Sequence, residues 1–205
     1  MAMDCFAQGI LDPSRRALFV DTDGIPAREQ RTGDLVHNDT EARLAVQLCT
    51  AFVQGGVPAS EIAILTPYRQ QIRRLVHMLH DAQQEEGTGR AKDALRDIEV
   101  LTADKAQGRD KDVILVSFVR SRCDAPDEQG SRGVGQLLLD ERRINVTLTR
   151  ARKKLLLLGS PTTLRHAPLL DRLWRLMDVR GWTWALRHEE VEAHGLLRSV
   201  EAMCS

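Results

Sequence analysis

The sequence lacks a net charge, and it has few aromatic residues. Its 29 lysine and arginine residues are balanced by 29 aspartate and glutamate residues in a chain of 205. No overall field therefore attracts it to nucleic acid or to a membrane surface, and any anion site needs a local cluster of cations. Aromatic residues make up 4% of the chain, which argues against a platform that stacks bases on several exposed rings.

Cysteine is also scarce, and its spacing indicates neither a metal site nor a disulfide framework. The four cysteines lie far apart, at Cys5, Cys49, Cys123 and Cys204. Because no pair has CxxC spacing, we expect no metal site, and free thiols in a reducing intracellular compartment. Apolar runs such as residues 155–158 fall far short of the roughly 20 residues that span a bilayer, so no membrane partner is expected.

A phosphate-binding loop is missing as well. No GxxxxGK[ST] pattern occurs in the chain. The glycines of GSRGVGQ, residues 130–136, have neither that spacing nor its lysine, and we interpret them as part of a loop. The chain alone therefore has no P-loop through which it could bind and activate a nucleotide.

Short apolar runs that alternate with helical patterns predict an α/β fold. Strands are predicted at residues 17–20, 62–65, 98–101, 113–118, 155–158 and 182–186, and helices at 40–53, at 68–83 and after Ser160-Pro161. Near-continuous apolar strands are typical of a parallel sheet with helices on both faces. We expect a lead-in at residues 1–16, one domain at 17–186 and a polar C-terminal tail at 187–205.

Three polar segments adjoin the predicted strands, and open α/β sheets bind ligands beyond the carboxyl ends of their strands. The first segment is TPYRQQ, which follows the strand at residues 62–65. Its Thr66 and Tyr68 can contact a nucleic-acid backbone. The alternative is that Pro67 only ends the strand while Tyr68 packs on the next helix.

The second segment, residues 102–112, lies between two predicted strands and contains QGRD. Gly108 permits a tight turn, and Gln107 can orient a water molecule or a phosphate oxygen. Asp110 can accept a hydrogen bond from a ribose hydroxyl. The alternative is a charged surface loop whose ion pairs each contribute less than about 1 kcal/mol.

The third segment, residues 142–152, carries a candidate phosphate ligand. In a helix, Arg143, Thr147 and Arg150 share one polar stripe, and an adjacent apolar stripe packs on the sheet. Arg150 then lies near the helix C-terminus, where it can bind a phosphate across a cleft through two parallel hydrogen bonds. The spacing equally allows a solvated basic face.

Together the three segments resemble helicase motifs IV, V and VI of superfamily-one enzymes of the nonsense-mediated-decay helicase type. They occur in that order, as TPYRQQ, TADKAQGRDKDVILVSFVRS and LLLDERRINVTLTRARKKLLLLGS. Within that superfamily the fit is best to the eukaryotic DNA replication helicase/nucleases of the Dna-two type. The resemblance runs from about residue 18 to residue 186.

The resemblance implies a second RecA-like lobe without a P-loop, the C-terminal half of a 5′-to-3′ DNA helicase motor. ATP and Mg²⁺ would be bound mainly by an upstream RecA-like lobe, and Arg150 would be the arginine finger that stabilises charge on the γ-phosphate. The residues lining the ATP cleft would be Gln107, Gly108, Asp110 and Arg143, and those on the nucleic-acid side Thr66, Tyr68 and Thr102.

The same resemblance implies single-stranded DNA and the upstream lobe as partners, with a single-strand DNA-binding protein as a further one. It also implies a nuclear location, in DNA replication and repair. A nuclease domain and an iron–sulfur cluster would belong to the full-length relative and not to this chain, which would then be part of a longer gene product.

Two features depart from the family pattern. A tyrosine-arginine-methionine segment that usually supplies another phosphate-binding arginine is missing, and Ala106 stands where an aromatic residue usually precedes the QG pair. We expect the chain alone to be inactive as an ATPase because it has no P-loop. Two alternatives stay open: a lobe of a related RNA helicase, and a non-catalytic module that binds nucleic acid or a protein.

Overall fold

Among the residues that the structure describes, six of the eight strands form a single parallel sheet. The computed structural model describes residues 9–85, 95–121 and 135–188. Its strands are β1 (Ala17–Asp21), β2 (Gln30–Thr32), β3 (Leu35–His37), β4 (Ile62–Leu65), β5 (Glu99–Leu101), β6 (Lys111–Ser117), β7 (Ala151–Gly159) and β8 (Thr183–Ala185). The spatial order in the sheet is β5-β4-β6-β7-β1-β8, while β2 and β3 pair as a separate antiparallel hairpin.

Seven helices connect the strands in the described ranges. They are α1 (Asp39–Gln54), α2 (Arg69–Glu85), α3 (Ala103–Ala106), α4 (Gln136–Leu139), α5 (Glu141–Leu148), α6 (Pro161–Leu164) and α7 (Pro168–Val179). The side chain of Asn38 accepts a hydrogen bond from the backbone N–H of Glu41 at 3.0 Å and so caps α1, while Gly55 ends that helix. Both cap residues fit the helix limits predicted from the sequence.

The core lies on both faces of the sheet, as predicted. Successive residues of β6 alternate between the faces, with Val113 and Leu115 in one apolar cluster and Ile114 and Val116 in the other. Helices α1 and α2 cover the first face, while α5 and α7 cover the second. The prediction of a RecA-like α/β fold with helices on both faces is therefore confirmed.

Two predicted helices are shorter in the structure. The helix of the third segment ends at Leu148, because Thr149 N–H bonds back to Asn145 and Val146 and Ala151 already pairs with Lys111 in the sheet. The helix predicted after Ser160 is divided into α6 and α7, with a new start at Pro168. A proline at the first helical position has no N–H that a continuous helix would need.

Several predictions fall on residues outside the described ranges. They concern Cys5, Cys123 and Cys204, most of the loops at 85–91 and 123–135, and most of the terminal segments. Cys49 is described, and it is a free thiol in the core. Burial raises the pKa of that thiol.

All six strands of the sheet run in one direction, so the sheet has two chemically different ends. We call the end where the strands finish the carboxyl end and the opposite end the amino end. Thr66 follows β4 and Thr102 follows β5 at the carboxyl end. Asp110 precedes β6 and Arg150 precedes β7 at the amino end.

Candidate functional site

The three polar segments meet in one cleft at the carboxyl end of the sheet. The cleft has a volume of about 740 Å³, and its walls come from the β4–α2 connection, the β5–α3 connection and helix α5. Because β4 and β5 are neighbouring parallel strands, the residues that follow them leave the sheet side by side. The β2–β3 hairpin, which the sequence analysis did not predict, adds a further wall.

Thr66 and Tyr68, the predicted nucleic-acid contacts of the first segment, are both buried. The Thr66 Oγ1 atom accepts a hydrogen bond from the Tyr68 backbone N–H at 3.4 Å. The Tyr68 ring packs with Val36 and Val119, and burial raises the pKa of its hydroxyl. Tyr68 lines the cleft although most of its surface is covered, and the predicted nucleic-acid contacts of these two residues stay a prediction. The stated alternative had Tyr68 packing on the next helix, whereas its ring packs with residues of the hairpin and of the segment after β6.

The cations that line the cleft come instead from the helices that follow these strands. Arg69 and Arg73 of α2 and Lys105 of α3 are exposed at the cleft. Within the described ranges, no carboxylate oxygen lies within 4.0 Å of any of these three side chains. The arrangement leaves three cationic groups available to an anionic ligand.

Thr102 and Arg143 lie on the same side of the molecule. Thr102 is half-buried just before α3 and lines the cleft. The Arg143 side chain lines it too, with its Nε 3.3 Å from a carboxylate oxygen of Asp104 and 3.4 Å from one of Asp140. Because α5 begins at the carboxyl end, Arg143 lies with Thr102 and not with Arg150, and its predicted grouping with the ATP residues stays a prediction.

Arg150 and Asp110 form an ion pair at the amino end of the sheet. The Arg150 Nη1 donates to Asp110 Oδ1 at 2.8 Å, its Nε to the Val146 carbonyl at 3.1 Å and its Nη2 to Thr149 Oγ1 at 3.0 Å. The two residues meet because β6 and β7 begin together, with Lys111 N–H bonded to the Arg150 carbonyl at 3.1 Å. Arg150 thus lies beyond the helix in which the sequence analysis had put it.

The turn between α3 and β6 brings Gln107 and Gly108 to this same region. Gln107 is exposed, and Gly108 has a φ of +76°, a conformation that favours glycine as predicted. The predicted alternative of local ion pairs is present here as well. Glu99 lies 2.8 Å from the Arg109 guanidinium and 2.7 Å from the Lys111 ammonium group.

A buried polar network lies next to the cleft, and it was not predicted from the sequence. Glu41 is fully buried in α1, and one of its carboxylate oxygens accepts hydrogen bonds from Ser117 Oγ at 2.7 Å and from the Val119 N–H at 2.9 Å. The Gln71 amide donates to Ser117 Oγ at 3.1 Å and to the Asn38 carbonyl at 3.0 Å. These bonds fasten α1, α2 and the end of β6 to one another.

A second buried pair extends this network. The Arg120 Nε donates to a Glu29 carboxylate oxygen at 2.8 Å, and both side chains are almost completely buried. Val119, which precedes Arg120, has a φ of +70°, which is strained for a β-branched residue. The network holds the backbone in that conformation just beyond β6.

The helical periodicity of the sequence contains one sign of this network, namely a glutamate on the apolar face of α1. Glu41 lies three and seven positions before Leu44 and Leu48, so it shares their face of α1, and that face packs in the core. A carboxylate at a core position needs buried hydrogen-bond donors. The pattern could have indicated such a network, although it could not identify the donors.

Groups of three or more side chains that could hold a metal ion are absent from the residues that the structure describes. Within the same described ranges, no helix has the length and apolar character needed to cross a membrane.

Comparisons with known proteins show the family of the chain. A family model described as an AAA domain matches residues 4–162. The DNA replication ATP-dependent helicase/nuclease DNA2 of Mus musculus is 44% identical over 185 residues, which are 90% of this chain and 16% of that protein. The protein of the same name from Homo sapiens is 41% identical over 165 residues, covering 80% of this chain and 14% of that protein.

A plant relative gives the same result. The DNA replication ATP-dependent helicase/nuclease JHS1 of Arabidopsis thaliana is 40% identical over 161 residues, 78% of this chain and 11% of that protein. The chain thus spans between 11% and 16% of the length of these three relatives. Since the family model covers most of the chain and the sheet has the expected parallel order, the chain belongs to the AAA domain family, as a RecA-like lobe similar to those of superfamily-one helicases of the Dna-two type.

Proposed function

We propose that this chain is the C-terminal motor lobe of an ATP-dependent 5′-to-3′ DNA helicase/nuclease that acts in DNA replication and repair. It would complete an ATP site shared with an upstream P-loop lobe and would bind single-stranded DNA. The observation that carries this proposal is the division of the candidate residues between the two ends of the sheet. The proposal includes a nuclear location and a single-strand DNA-binding protein as a further partner, both taken from the family resemblance; the names of the relatives supply the role in DNA replication.

Single-stranded DNA would lie in the cleft at the carboxyl end. The exposed cations Arg69, Arg73 and Lys105 line this cleft and can neutralise phosphates, which provide most of the affinity in sequence-independent binding. Half-buried Thr102 can donate a hydrogen bond to the backbone of the strand. Thr66 and Tyr68 support the cleft wall from inside, because both are buried there.

ATP would bind at the amino end, against Gln107, Gly108, Asp110 and Arg150. These residues fit a nucleotide phosphate in two respects. The Arg150 guanidinium carries a permanent positive charge and is about one-fifth exposed, and the space around Gly108 is open. Bound ATP supplies the phosphoryl group that is transferred, and ATP and Mg²⁺ would be held mainly by the upstream lobe.

Arg150 has a defined task in such a site. Its guanidinium donates to three protein oxygens, of which only that of Asp110 belongs to an ionised group. To reach a phosphate, Arg150 must exchange the 2.8 Å contact with Asp110 for a contact with the phosphate oxygens. The released Asp110 carboxylate, half-exposed, can then accept a hydrogen bond from a ribose hydroxyl.

Helix α5 connects the two ends. Arg143 lies in its first turn at the DNA cleft, and Arg150 follows its last residue. The helix rises about 7.5 Å from Arg143 to its last residue, Leu148, and Arg150 lies two residues further along the chain. A displacement of this helix would therefore move Arg143 at the carboxyl end and Arg150 at the amino end of the sheet together.

The test joins this lobe to a P-loop-bearing first lobe and measures ATP hydrolysis stimulated by single-stranded DNA. Arg150→Ala should lower the rate at least about a hundredfold, since an arginine finger contributes about 10³ to 10⁵ in related systems. Arg152→Ala is the matched control, because Arg152 lies two residues away and pairs with Asp112 at 3.2 Å. Nucleotide binding should persist in both variants.

Equal rates for Arg150→Ala and the unmodified protein would refute the arginine-finger assignment and favour a non-catalytic module. Stimulation by single-stranded RNA rather than DNA, with the Arg150 effect retained, would assign the lobe to an RNA helicase instead.

A further inference from the structure

The β2–β3 hairpin stands at the cleft without a role in the function proposed above. Its two strands pair in antiparallel register, with Thr32 opposite Leu35. The two residues between them are Gly33, with a φ of +59°, and Asp34. Glycine with positive φ at the first turn position matches the right-handed twist of a short hairpin. The hairpin therefore has a defined shape rather than that of a loose loop.

One face of the hairpin is anchored and the other is open. Val36 is buried against Tyr68 and Val119. The neighbouring residue Leu35 points the opposite way, lines the cleft and is 43% exposed. Because successive side chains of a strand point to opposite sides, burial of Val36 places the apolar side chain of Leu35 at the cleft surface.

Cations line the same cleft as this apolar side chain. Arg69, Arg73 and Lys105 line the same cleft without a carboxylate partner within 4.0 Å in the described ranges, whereas the carboxylates that line it are Asp34 and Asp104. Asp104 already faces Arg143 at 3.3 Å. Excess positive charge beside an apolar contact fits a single nucleic-acid strand, which offers phosphates and the flat faces of unpaired bases.

We propose that the β2–β3 hairpin is part of the single-strand interface, with Leu35 packed on the face of a base while Arg69, Arg73 and Lys105 bind phosphates. This inference rests on the cleft being the DNA site of the proposed function, and it adds a base contact in a chain with few aromatic residues. Leu35 would limit where a base can lie, while the cations would hold the backbone.

Fluorescence anisotropy with a labelled oligothymidine, at a series of salt concentrations, tests the two kinds of contact separately. Leu35→Ser should weaken binding about fivefold at every salt concentration, because a lost apolar contact of about 1 kcal/mol has that effect. The slope of log affinity against log salt should stay unchanged. Arg69→Gln should instead make that slope shallower by about 0.7, the value for one phosphate of a single strand.

Leu176→Ser is the matched control, since Leu176 is a leucine with a similar exposure, 49%, on α7 away from the cleft. Its affinity should equal that of the unmodified chain. Leu35→Phe provides a second variant, which should bind at least as tightly because a ring also packs on a base. Circular dichroism should show the same folded spectrum for all variants.

Two failures can be told apart. An unchanged affinity for Leu35→Ser, with the Arg69→Gln slope reduced, would refute the hairpin contact and leave the cleft as the DNA site. Unchanged affinity and slope for both variants would refute the hairpin contact together with the DNA cleft of the proposed function.

Discussion

The carboxyl group of Glu41 makes the stability of this fold depend on pH. Burial raises its pKa from the ordinary 4.5 to about 8, and the charge of Glu29 acts in the same direction, while hydrogen bonds from Ser117 and Val119 oppose the shift. At about 1.4 kcal/mol per pKa unit, this change corresponds to a preference on the order of 5 kcal/mol for the neutral form in the folded state.

The direction of the pH effect follows from that shift. Since the folded state holds the proton more tightly than the unfolded state, the contribution of Glu41 to the free energy of unfolding is greatest below pH 4.5. It is lost progressively as the pH rises towards about 8. Glu41→Gln removes the titration but keeps an oxygen that can accept from Ser117 and Val119.

Urea unfolding followed by tryptophan fluorescence, at several pH values from about 5 to about 8, measures this effect. The free energy of unfolding of the unmodified chain, minus that of Glu41→Gln, should fall by a few kcal/mol across this range. Glu141→Gln is the control, because Glu141 is mostly exposed and its removal should leave the pH profile unchanged. Parallel profiles for the unmodified chain and Glu41→Gln would show that the buried carboxyl is not the titrating group.

Three further outcomes are expected. Arg150→Ala should lower the free energy of unfolding by less than about 1 kcal/mol, since its ion pair is partly exposed; a larger loss in urea unfolding would make the pair structural. Gly108→Ala should cost about 1 kcal/mol because of the positive φ, and an unchanged melting temperature would contradict this. The chain alone should release no phosphate from ATP and should bind single strands weakly at about 0.2 M salt; turnover above a contaminant-free background, or tight binding, would disprove these expectations.

The sheet could be predicted because its strands are apolar on both faces. The runs at residues 62–65 and 113–118 are buried from end to end, and strands of that kind need helices on either side. The β2–β3 hairpin gave no such pattern, because all three residues of β2 are exposed. A hairpin in which only one strand packs against the core has too few buried residues to give a recognisable apolar pattern in the sequence.

The site was harder to predict because residues of one sequence motif lie at opposite ends of the sheet. Arg143 and Arg150 were assigned to one ATP group, yet α5 carries the chain from the carboxyl end of the sheet to the amino end between them. The turn containing Gly108 makes a similar passage from β5 to β6. The pairing of Arg150 with Asp110 depends on β6 and β7 being neighbours, which only the tertiary fold determines.

The buried pair of Glu29 and Arg120 ties together two positions that lie 91 residues apart in the sequence. Loss of Glu29 would leave the Arg120 guanidinium buried without its carboxylate partner, at a cost of about 3 to 5 kcal/mol. Glu29 itself also lies 3.3 Å from the Arg31 Nε, so loss of Arg120 would leave it one charged partner. That cost is a large fraction of the stability of a typical domain. Single substitutions at these positions should therefore be rare among folded variants, and the two positions should change together when they change. Coupled variation between residues 29 and 120 would then be the evolutionary trace of this contact.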